Sequence, residues 1–219
     1  MLSLTKGTSD VISQPGVEVR SFTLTRNRLS LCIARDVTPV TCAFTVGVDR
    51  NLRNLTVGNE NQIHYYDLSK TAKIAKTTVR IMVSFKRDDV RIRTDILSKY
   101  GRRRTARTGH ILHTATKTIV ERAVQRREAI VLEDIRGIRR LYRKGNGQGR
   151  KHHGRMNGWS YCEAQRQVEY KARWRGKQVI RLSRLETRGS SLTCPRCGER
   201  LQSDKRLKRK LWCGKNVES

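Results

Sequence analysis

The sequence predicts an α/β protein, and the order of its elements is the first reason. Strands come first along the 219 residues, followed by a helix, a strand, a second helix and a last strand, an order typical of a sheet layered with helices. The second reason is the segment Ala129–Ile135, whose apolar run is expected of a strand buried on both faces. The chain length suits one domain of moderate size, or one domain with an appendage.

The N-terminal part of the chain predicts two paired strands. Residues 1–16 are polar and turn-rich, and we expect them to be a frayed start. Apolar and polar residues alternate over Val17–Thr25, the pattern of a half-buried strand, and a turn at Arg26–Arg28 leads into a second strand. Pro39 then breaks the chain before the next segment.

The middle of the chain predicts a meander of three strands, a charged segment and a helix. The strands are expected at Thr45–Asp49, Leu52–Val57 and Gln62–Asp67. Residues 68–109 are highly charged. A helix is expected over His110–Glu128, because apolar residues recur there at helical spacing, namely Ile111, Ala115, Ile119 and Ala123.

The C-terminal part alternates loop, helix and strand before a cysteine-bearing appendage. A Gly-rich basic loop is expected over Lys144–Gly154, and a helix over Trp159–Gly176, where the glycine ends it. The segment Lys177–Glu186 predicts the last strand. The appendage runs from Thr193 to the end of the chain, so that the sequence predicts a sheet protein with a small cysteine-bearing tail.

The charge of the chain points to nucleic acid. Lys and Arg number 48 against 19 Asp and Glu, a formal net charge of +29. Such an excess opposes a compact state unless a polyanion neutralises it, and each cation that neutralises a phosphate also releases a counterion. A basic surface that serves solubility alone remains the alternative. The sequence therefore favours a DNA- or RNA-binding protein.

Several other classes are excluded or disfavoured by composition. No apolar run approaches the roughly 20 residues of a membrane span, and no cationic amphipathic helix with an aromatic-rich apolar face is present. The N-terminus lacks the basic start and apolar centre of a signal peptide, so a cytoplasmic, nucleoid-associated protein is expected, with no membrane partner. Six cysteines in that reducing setting predict metal ligands or free thiols rather than disulfides.

Two carboxylates stand at the ends of predicted strands. Asp49 ends the first strand of the meander, and Glu133 lies near the end of the apolar strand. Neighbouring strand ends can bring two carboxylates to one cation, and Mg²⁺ prefers such oxygen ligands. Two such ions can activate water and stabilise the leaving oxygen of a phosphodiester. The alternative is that Asp49 caps a turn, while Glu133 and Asp134 meet solvent or an arginine.

The cysteine spacing predicts half of a zinc ribbon. Cys194 and Cys197, followed by Gly198, form one knuckle, and Cys213 arrives where a second knuckle should begin. Its partner position is Asn216. Three thiolates make a poor structural zinc site, so a water, a distant histidine or Cys162 would have to complete it. Otherwise the tail carries three free thiols.

Basic clusters are candidates for contact with nucleic acid, although a charge run is often only a solvated face. The candidates are Arg102, Arg103, Arg104, Lys151, Lys205, Arg206, Lys208 and Arg209. Trp159, Trp174 and Trp212 could stack on bases, but core packing is the better interpretation for the first two, which are expected on an amphipathic helix. His152 and His153 are better interpreted as part of a solvated loop.

Four stretches, in this order and spacing, resemble the TnpB/OrfB proteins of bacterial and archaeal insertion sequences, relatives of compact type V CRISPR effector nucleases. Each stretch alone is moderately specific, and the four together, covering about residues 17–213, are highly specific. The stretches are Gly47–Leu55, Ile130–Ile135, Gln167–Ala172 and Ser190–Gly198.

The resemblance implies an RNase H-like (RuvC) mixed sheet flanked by helices. Residues 1–44 would be the β remnant of an N-terminal RNA-binding barrel, 45–189 the nuclease core and 190–219 the incomplete zinc ribbon. It implies Asp49 and Glu133 as the first and second catalytic acids, both on Mg²⁺. It also implies a guide RNA that directs cleavage of double-stranded DNA.

The sequence departs from that family in two places. The family carries a longer N-terminal region, and it places a third catalytic acid after the second cysteine pair, a point that this sequence does not reach. Glu218 lies too near the end to take that role, and we expect a C-terminal truncation with weakened metal binding and cleavage. A catalytically dead binder or regulator is therefore the alternative function, and a structural RNA-binding protein of ribosomal type is a third.

Overall fold

The fold was obtained from a computed structural model, which describes residues 4–26, 28–85, 89–135, 149–194, 197–203 and 211–214. It contains one five-stranded sheet and two separate two-stranded ones. In chain order the elements are α1 (Lys6–Ile12), β1 (Val17–Thr25), β2 (Arg28–Arg35), β3 (Phe44–Arg50), β4 (Asn54–Gly58), β5 (Ile63–Asp67), α2 (Ser69–Ser84), a π-helical turn (Ile92–Ile96), α3 (Leu97–Gln125), β6 (Glu128–Glu133), α4 (Arg150–Asn157), α5 (Tyr161–Trp174), β7 (Val179–Leu182), a 3₁₀ turn (Ser190–Leu192), β8 (Gln202–Ser203) and β9 (Leu211–Trp212).

The central sheet is mixed, with the strand order β5-β4-β3-β6-β7. The strands β3, β4 and β5 form an antiparallel meander, as the sequence predicts. The strands β3, β6 and β7 run parallel to one another, and helices intervene in sequence between them. The α/β class with a mixed sheet is therefore confirmed.

One face of this sheet carries the core. Alternate residues of β3, β4 and β6 are buried there and pack against α3 and α5. Ile130 and Leu132 of β6 are fully buried, as the apolar run predicts. The other members of this core cluster are Val46, Val48, Leu55, Val57, Leu68, Leu112, Ile119, Val120, Ala123, Ala164, Val168 and Ala172.

The helices differ in extent from the sequence prediction, since α3 begins earlier and α5 is two residues shorter at each end. Helix α3 begins at Leu97 rather than His110, and the prediction missed its first half because that half carries almost no apolar stripe. Helix α2 lies in the segment that the sequence marks only as charged. Its buried positions are Thr71, Ile74 and Thr78, which have helical spacing but are mostly not apolar residues.

Three boundaries also differ from prediction. The frayed start contains α1, whose first turn is capped by Thr5 Oγ1, which accepts a hydrogen bond from the Thr8 amide at 3.3 Å. Strand β7 is shorter than predicted, because the Ser183 amide donates to Glu186 Oε2 at 2.6 Å in the turn that follows it. Trp159 precedes α5 rather than lying on it.

No helix in the described part of the chain is both long and apolar enough to cross a membrane. The longest, α3, has 29 residues, but arginines, lysines and threonines interrupt its apolar positions throughout.

Gly176 ends α5 in a conformation that only glycine adopts easily, and we predict that Gly176→Ala destabilises the protein. Its φ is +68°, and an added Cβ would lie 2.4 Å from the carbonyl oxygen of Thr38. The Val40 amide donates to the Gly176 carbonyl at 2.8 Å, so the segment before β3 cannot move away without losing that bond. We expect a loss of about 2 kcal/mol in the free energy of unfolding, measured by denaturant titration.

The matched control for this prediction is Gly101→Ala in α3. Gly101 has open space around its would-be Cβ, so alanine there should leave stability unchanged or raise it by up to about 1 kcal/mol. Equal stabilities for the two variants would contradict the close approach of Gly176 to residues 37–40.

Candidate metal and nucleic-acid sites

Asp49 and Glu133 lie side by side at the carboxyl ends of two parallel strands. The register aligns Val48 with Leu132, and the two acids are the next residues on β3 and β6. Hydrogen-bonded strands run about 4.8 Å apart, so the two side chains start from neighbouring points of the sheet. Both side chains are exposed and face away from the core, since the residue before each is buried.

Neutral hydrogen-bond donors orient the two carboxylates. Asn51 Nδ2 donates to Asp49 Oδ2 at 2.9 Å and also lies 3.3 Å from Thr56 Oγ1. Thr187 Oγ1 donates to Glu133 Oε1 at 3.2 Å. An amide and a hydroxyl fix the direction of a carboxylate but do not cancel its charge. The arrangement therefore leaves two negative groups on one exposed edge of the sheet.

The donor set at this edge fits Mg²⁺. That ion is commonly held by one or two carboxylates, while water and substrate phosphates complete its octahedron. Among the residues that the structure describes, the one group of three or more acidic, histidine or cysteine side chains close enough to share a cation consists of cysteines. The two acids thus form a partial site, open to solvent and to a phosphate ligand.

A buried arginine lies directly beneath the two acids. Arg50 follows Asp49 but points into the layer between sheet and helix, where only 4% of it is exposed. Its guanidinium donates to the backbone carbonyl of Glu133 and to Gln165 Oε1, and it lies 3.5 Å from the Tyr161 carbonyl. Burial lowers the pKa of Arg50, and the nearby carboxylates oppose this in part.

The contacts of Arg50 continue along α5 to the next strand. Gln165 Nε2 donates to Glu169 Oε1 at 2.7 Å, and Arg181 of β7 binds both oxygens of that carboxylate, at 2.7 and 2.5 Å. Burial opposes ionisation of Glu169, but the hydrogen bonds from Arg181 and Gln165 outweigh it and hold its pKa below the ordinary value. The sequence analysis missed this network, although the alternation of β3 places Arg50 on the buried face with Val46 and Val48.

The Gln167–Ala172 stretch, one of the four that carry the family resemblance, connects α5 to its neighbouring elements. Gln167 is fully buried, accepts a hydrogen bond from Thr116 Oγ1 at 3.0 Å and donates to Glu163 Oε1 at 2.8 Å. It therefore joins α3 to α5, while Glu169, two residues later, joins α5 to β7. The stretch holds the two helices and the sheet edge in one arrangement.

Three cysteines come together as their spacing predicts. The sulfur atoms of Cys194, Cys197 and Cys213 all lie within 4.8 Å of one another, and the last two are 3.3 Å apart. The Gly198 amide donates to the Cys194 carbonyl at 2.9 Å, with Gly198 at a φ of +74°. Cys162 lies exposed on α5 and is not a member of the group. Pro195, Arg196 and Asn216 lie outside the described residues.

The cysteine group has the chemistry of a thiophilic metal site. The Glu199 amide favours the thiolate of Cys197, but the neighbouring sulfurs and burial outweigh that bond and raise its pKa. A bound cation would relieve this repulsion between sulfurs, and metal uptake would release protons. Three sulfurs leave one position of a tetrahedral site for water or another ligand.

We predict that Co²⁺, used in place of Zn²⁺, binds this group. The expected result is a thiolate-to-cobalt charge-transfer absorption that appears with the added metal and is lost in Cys197→Ser, because removing a sulfur leaves too few thiolates. Cys32→Ser, which alters an exposed cysteine of the β1–β2 hairpin, is the control and should keep the absorption. An identical spectrum for the two variants would show that the three sulfurs do not hold the metal.

The basic candidates fall into three groups. Arg102 and Arg103 are exposed on the first half of α3, and Arg104 is half-buried there. Lys151 lies in α4, so the Gly-rich loop is helical from residue 150 onward, and His152 and His153 lie on that helix rather than in a loop. A third group of candidates lies outside the described residues, namely Lys205, Arg206, Lys208 and Arg209.

The tryptophans differ in their surroundings. Trp159 is half-buried, packs on Tyr161 with ring centroids 4.8 Å apart and donates from Nε1 to the Asn51 carbonyl at 3.0 Å. Trp159 thus packs beside the turn that follows Asp49, ahead of α5 and outside the core cluster, rather than in the core on a helix as the sequence predicts. Trp174 is half-buried as well, whereas Trp212 is 44% exposed.

The chain is similar to Cas12f1-like and TnpB-like proteins. A family model described as Cas12f1-like, TNB domain, matches residues 161–218. A TnpB-like protein of Methanocaldococcus jannaschii is 27% identical over 175 residues, which is 75% of this chain and 60% of the relative. The chain thus spans less than two thirds of that relative's length.

Two solved structures share the fold at low sequence identity. A cryo-EM structure of a Cas12f1-sgRNA-target DNA complex aligns with a TM-score of 0.50 and 15% identity, over 78% of this chain and 42% of the other. A cryo-EM structure of a CRISPR-Cas12f ternary complex aligns with a TM-score of 0.52 and 17% identity, over 90% and 41%. These likenesses show that the sheet and its helices are arranged as in Cas12f proteins.

Proposed function

We propose that the chain, which is similar to TnpB-like and Cas12f1-like proteins, is a transposon-encoded, RNA-guided, Mg²⁺-dependent DNA endonuclease of the TnpB type. The observation that carries the proposal is the adjacency of Asp49 and Glu133 on the exposed ends of β3 and β6. In a protein of net charge +29, two adjacent exposed carboxylates suit a site where a divalent cation meets a polyanion.

The proposed roles follow from the chemistry of each group. Asp49 and Glu133 would hold Mg²⁺, which when bound supplies an activated water and stabilises the leaving oxygen of a phosphodiester. The exposed arginines of α3 would hold the nucleic-acid backbone, because phosphate contacts position a nucleic acid without reading its sequence. Asn51 and Thr187 would keep the two carboxylates aimed at the same point.

We divide the chain into three functional parts, with the boundaries that the sequence predicts. Residues 1–44 would contact guide RNA through the β1–β2 hairpin, 45–189 would be the RuvC-like nuclease core, and 190–219 would be a zinc-binding tail. One of the solved structures that the fold resembles is, by its description, a complex of Cas12f1 with sgRNA and target DNA, which supports RNA and DNA as partners here. A DNA-bound protein of this kind would lie on the prokaryotic nucleoid.

A non-catalytic nucleic-acid binder is the second candidate function. The observation that favours it is the count of acids at the site, because two carboxylates are grouped there among the described residues and the family uses three. Such a chain would keep the basic surface and the fold but would only occupy its target.

Cleavage of labelled double-stranded DNA tests the proposal. The protein is purified with RNA co-expressed from its own element and is assayed with Mg²⁺ and with EDTA. Cutting that requires both Mg²⁺ and the RNA supports the endonuclease. Tight, salt-sensitive binding with no cutting in Mg²⁺ or Mn²⁺ contradicts the endonuclease and favours the second function.

A further inference from the structure

Arg50 joins three elements at the point where the two acids leave the sheet. Its guanidinium bonds to the backbone of β6 at Glu133 and to α5 at Gln165, and it lies 3.5 Å from the Tyr161 carbonyl at the start of α5. Arg50 is itself the last residue of β3. The side chain therefore fastens the ends of two strands to one helix from the buried side, directly under the two acids.

The same network is anchored at its far end. Gln165 and Glu169 are one helical turn apart on α5, and Arg181 of β7 binds the Glu169 carboxylate with two nearly parallel hydrogen bonds. The charge pair between Glu169 and Arg181 holds Glu169 in place, and Glu169 accepts from Gln165, so Arg50 meets an oriented partner. The network spans β3, β6, α5 and β7 and reaches solvent at Arg181, which is exposed.

The backbone ladder between the two acid-bearing strands ends just before the acids. Paired residues of β3 and β6 end at Val48 and Leu132, one residue before Asp49 and Glu133, although Asp49 still pairs with β4 and Glu133 with β7. Beyond the last β3–β6 pair, the Arg50 guanidinium donates to the Glu133 carbonyl and so links the two strand ends directly. This side chain therefore adds a link between the two acid-bearing strand ends, beside the ladders that hold each acid to its outer neighbour.

We infer that Arg50 is a positioning residue, which sets the separation and direction of Asp49 and Glu133 so that both reach one divalent cation. This inference rests on the proposed function, since it concerns the same cation site. Arginine suits the task because its planar fork serves several acceptors at once, which the single ammonium of lysine cannot do. Partners that orient metal ligands from behind typically affect metal affinity about 10- to 100-fold.

Binding of Mn²⁺, followed by electron paramagnetic resonance without nucleic acid, tests the inference. The full chain is compared with Arg50→Met, Arg50→Lys and Asp49→Ala, and unfolding curves establish the folded fraction of each variant. The control is Arg53→Met, which removes the same charge from an exposed arginine three residues further along. We expect about tenfold weaker Mn²⁺ binding for both Arg50 variants and wild-type binding for the control.

The variant Gln165→Ala keeps the inference testable if Arg50→Met fails to fold. Gln165→Ala removes one partner of Arg50 but leaves its bond to the Glu133 carbonyl, so it should fold and weaken Mn²⁺ binding by a smaller factor than Arg50→Met. A purely structural role would lower the unfolding midpoint of these variants without changing the Mn²⁺ affinity of the folded protein.

The outcomes separate this inference from the function on which it rests. Wild-type Mn²⁺ affinity in folded Arg50→Met, Arg50→Lys and Gln165→Ala would overturn the inference and leave the cation site standing. Absence in the wild type of any Mn²⁺ binding that Asp49→Ala removes would overturn the cation site and the inference together.

Discussion

The Asp49→Ala variant is expected to lose Mg²⁺-dependent DNA cleavage by several orders of magnitude. Asp49 is one of two adjacent carboxylates on the exposed edge of the sheet, and a cation held by one carboxylate alone would be bound weakly and without a fixed position. Metal-assisted hydrolysis depends on that position, because the ion must meet both the attacking water and the phosphate. The measurement is the single-turnover cleavage rate with element RNA at saturating Mg²⁺.

The matched control is Asp36→Asn, which removes the same charge at an exposed position in the segment between β2 and β3. Its cleavage rate should equal that of the wild type. Glu133→Gln should resemble Asp49→Ala, because ligands of one ion act as a unit and their losses do not add. Undiminished cutting by folded Asp49→Ala would show that the reaction takes place elsewhere.

Nucleic-acid affinity is expected to depend steeply on salt. With six to ten phosphate contacts, the association constant should fall by about 10³- to 10⁵-fold between roughly 50 and 200 mM monovalent salt, because each contact releases a condensed counterion. A net charge of +29 supplies ample cations for such contacts. Fluorescence anisotropy of a labelled duplex, titrated at several salt concentrations, gives the slope directly.

A single substitution tests whether α3 contributes to the salt dependence of nucleic-acid binding. Arg103 is exposed on the first half of the helix, and Arg103→Gln should lower the slope of log affinity against log salt by about 1. Lys117→Gln is the matched control on the second half, where the ammonium lies 3.8 Å from the Glu121 carboxylate and already has a counter-charge. Equal slopes for the two variants would contradict a phosphate-contacting role for Arg103.

The sequence predicts the sheet and its acids because their signals are local. A short apolar segment locates β3, a longer apolar run locates β6, and a carboxylate at the end of each marks the candidate site. The parallel pairing of the two strands then brings the acids together, as expected of neighbouring strand ends. Their catalytic role stays a prediction until the variants are measured.

Other features could not be found in the same way. Helix α2 lacks an apolar stripe because Thr71 and Thr78 take buried positions that a helix usually gives to leucine or alanine, and the buried residues of α3 all lie in its second half. Thr116 is likewise fully buried, and its hydroxyl lies 2.7 Å from the Leu112 carbonyl and 3.0 Å from Gln167 Oε1 of α5. Burial of threonines depends on tertiary packing, which the spacing of apolar residues along the sequence does not indicate.

The Arg50 network shows a second limit of sequence reasoning. Sequence alternation cannot tell whether an arginine on the core side of a strand is buried. Its charge can be buried only because Glu133 and Gln165 supply hydrogen-bond acceptors, and neither partner is evident from the sequence. The cysteines show the opposite case, since the spacing of Cys194, Cys197 and Cys213 predicts their proximity, which the structure bears out.

A double-mutant cycle of Mn²⁺ binding tests the shared cation site most directly. Wild type, Asp49→Ala, Glu133→Ala and the double variant are titrated with Mn²⁺, and the bound ion is followed by electron paramagnetic resonance. If both carboxylates hold one ion, each single variant should lose nearly as much affinity as the double variant, since the losses are coupled. Losses that add, or Mn²⁺ affinity that is unchanged in the double variant, would show that Asp49 and Glu133 do not share a cation.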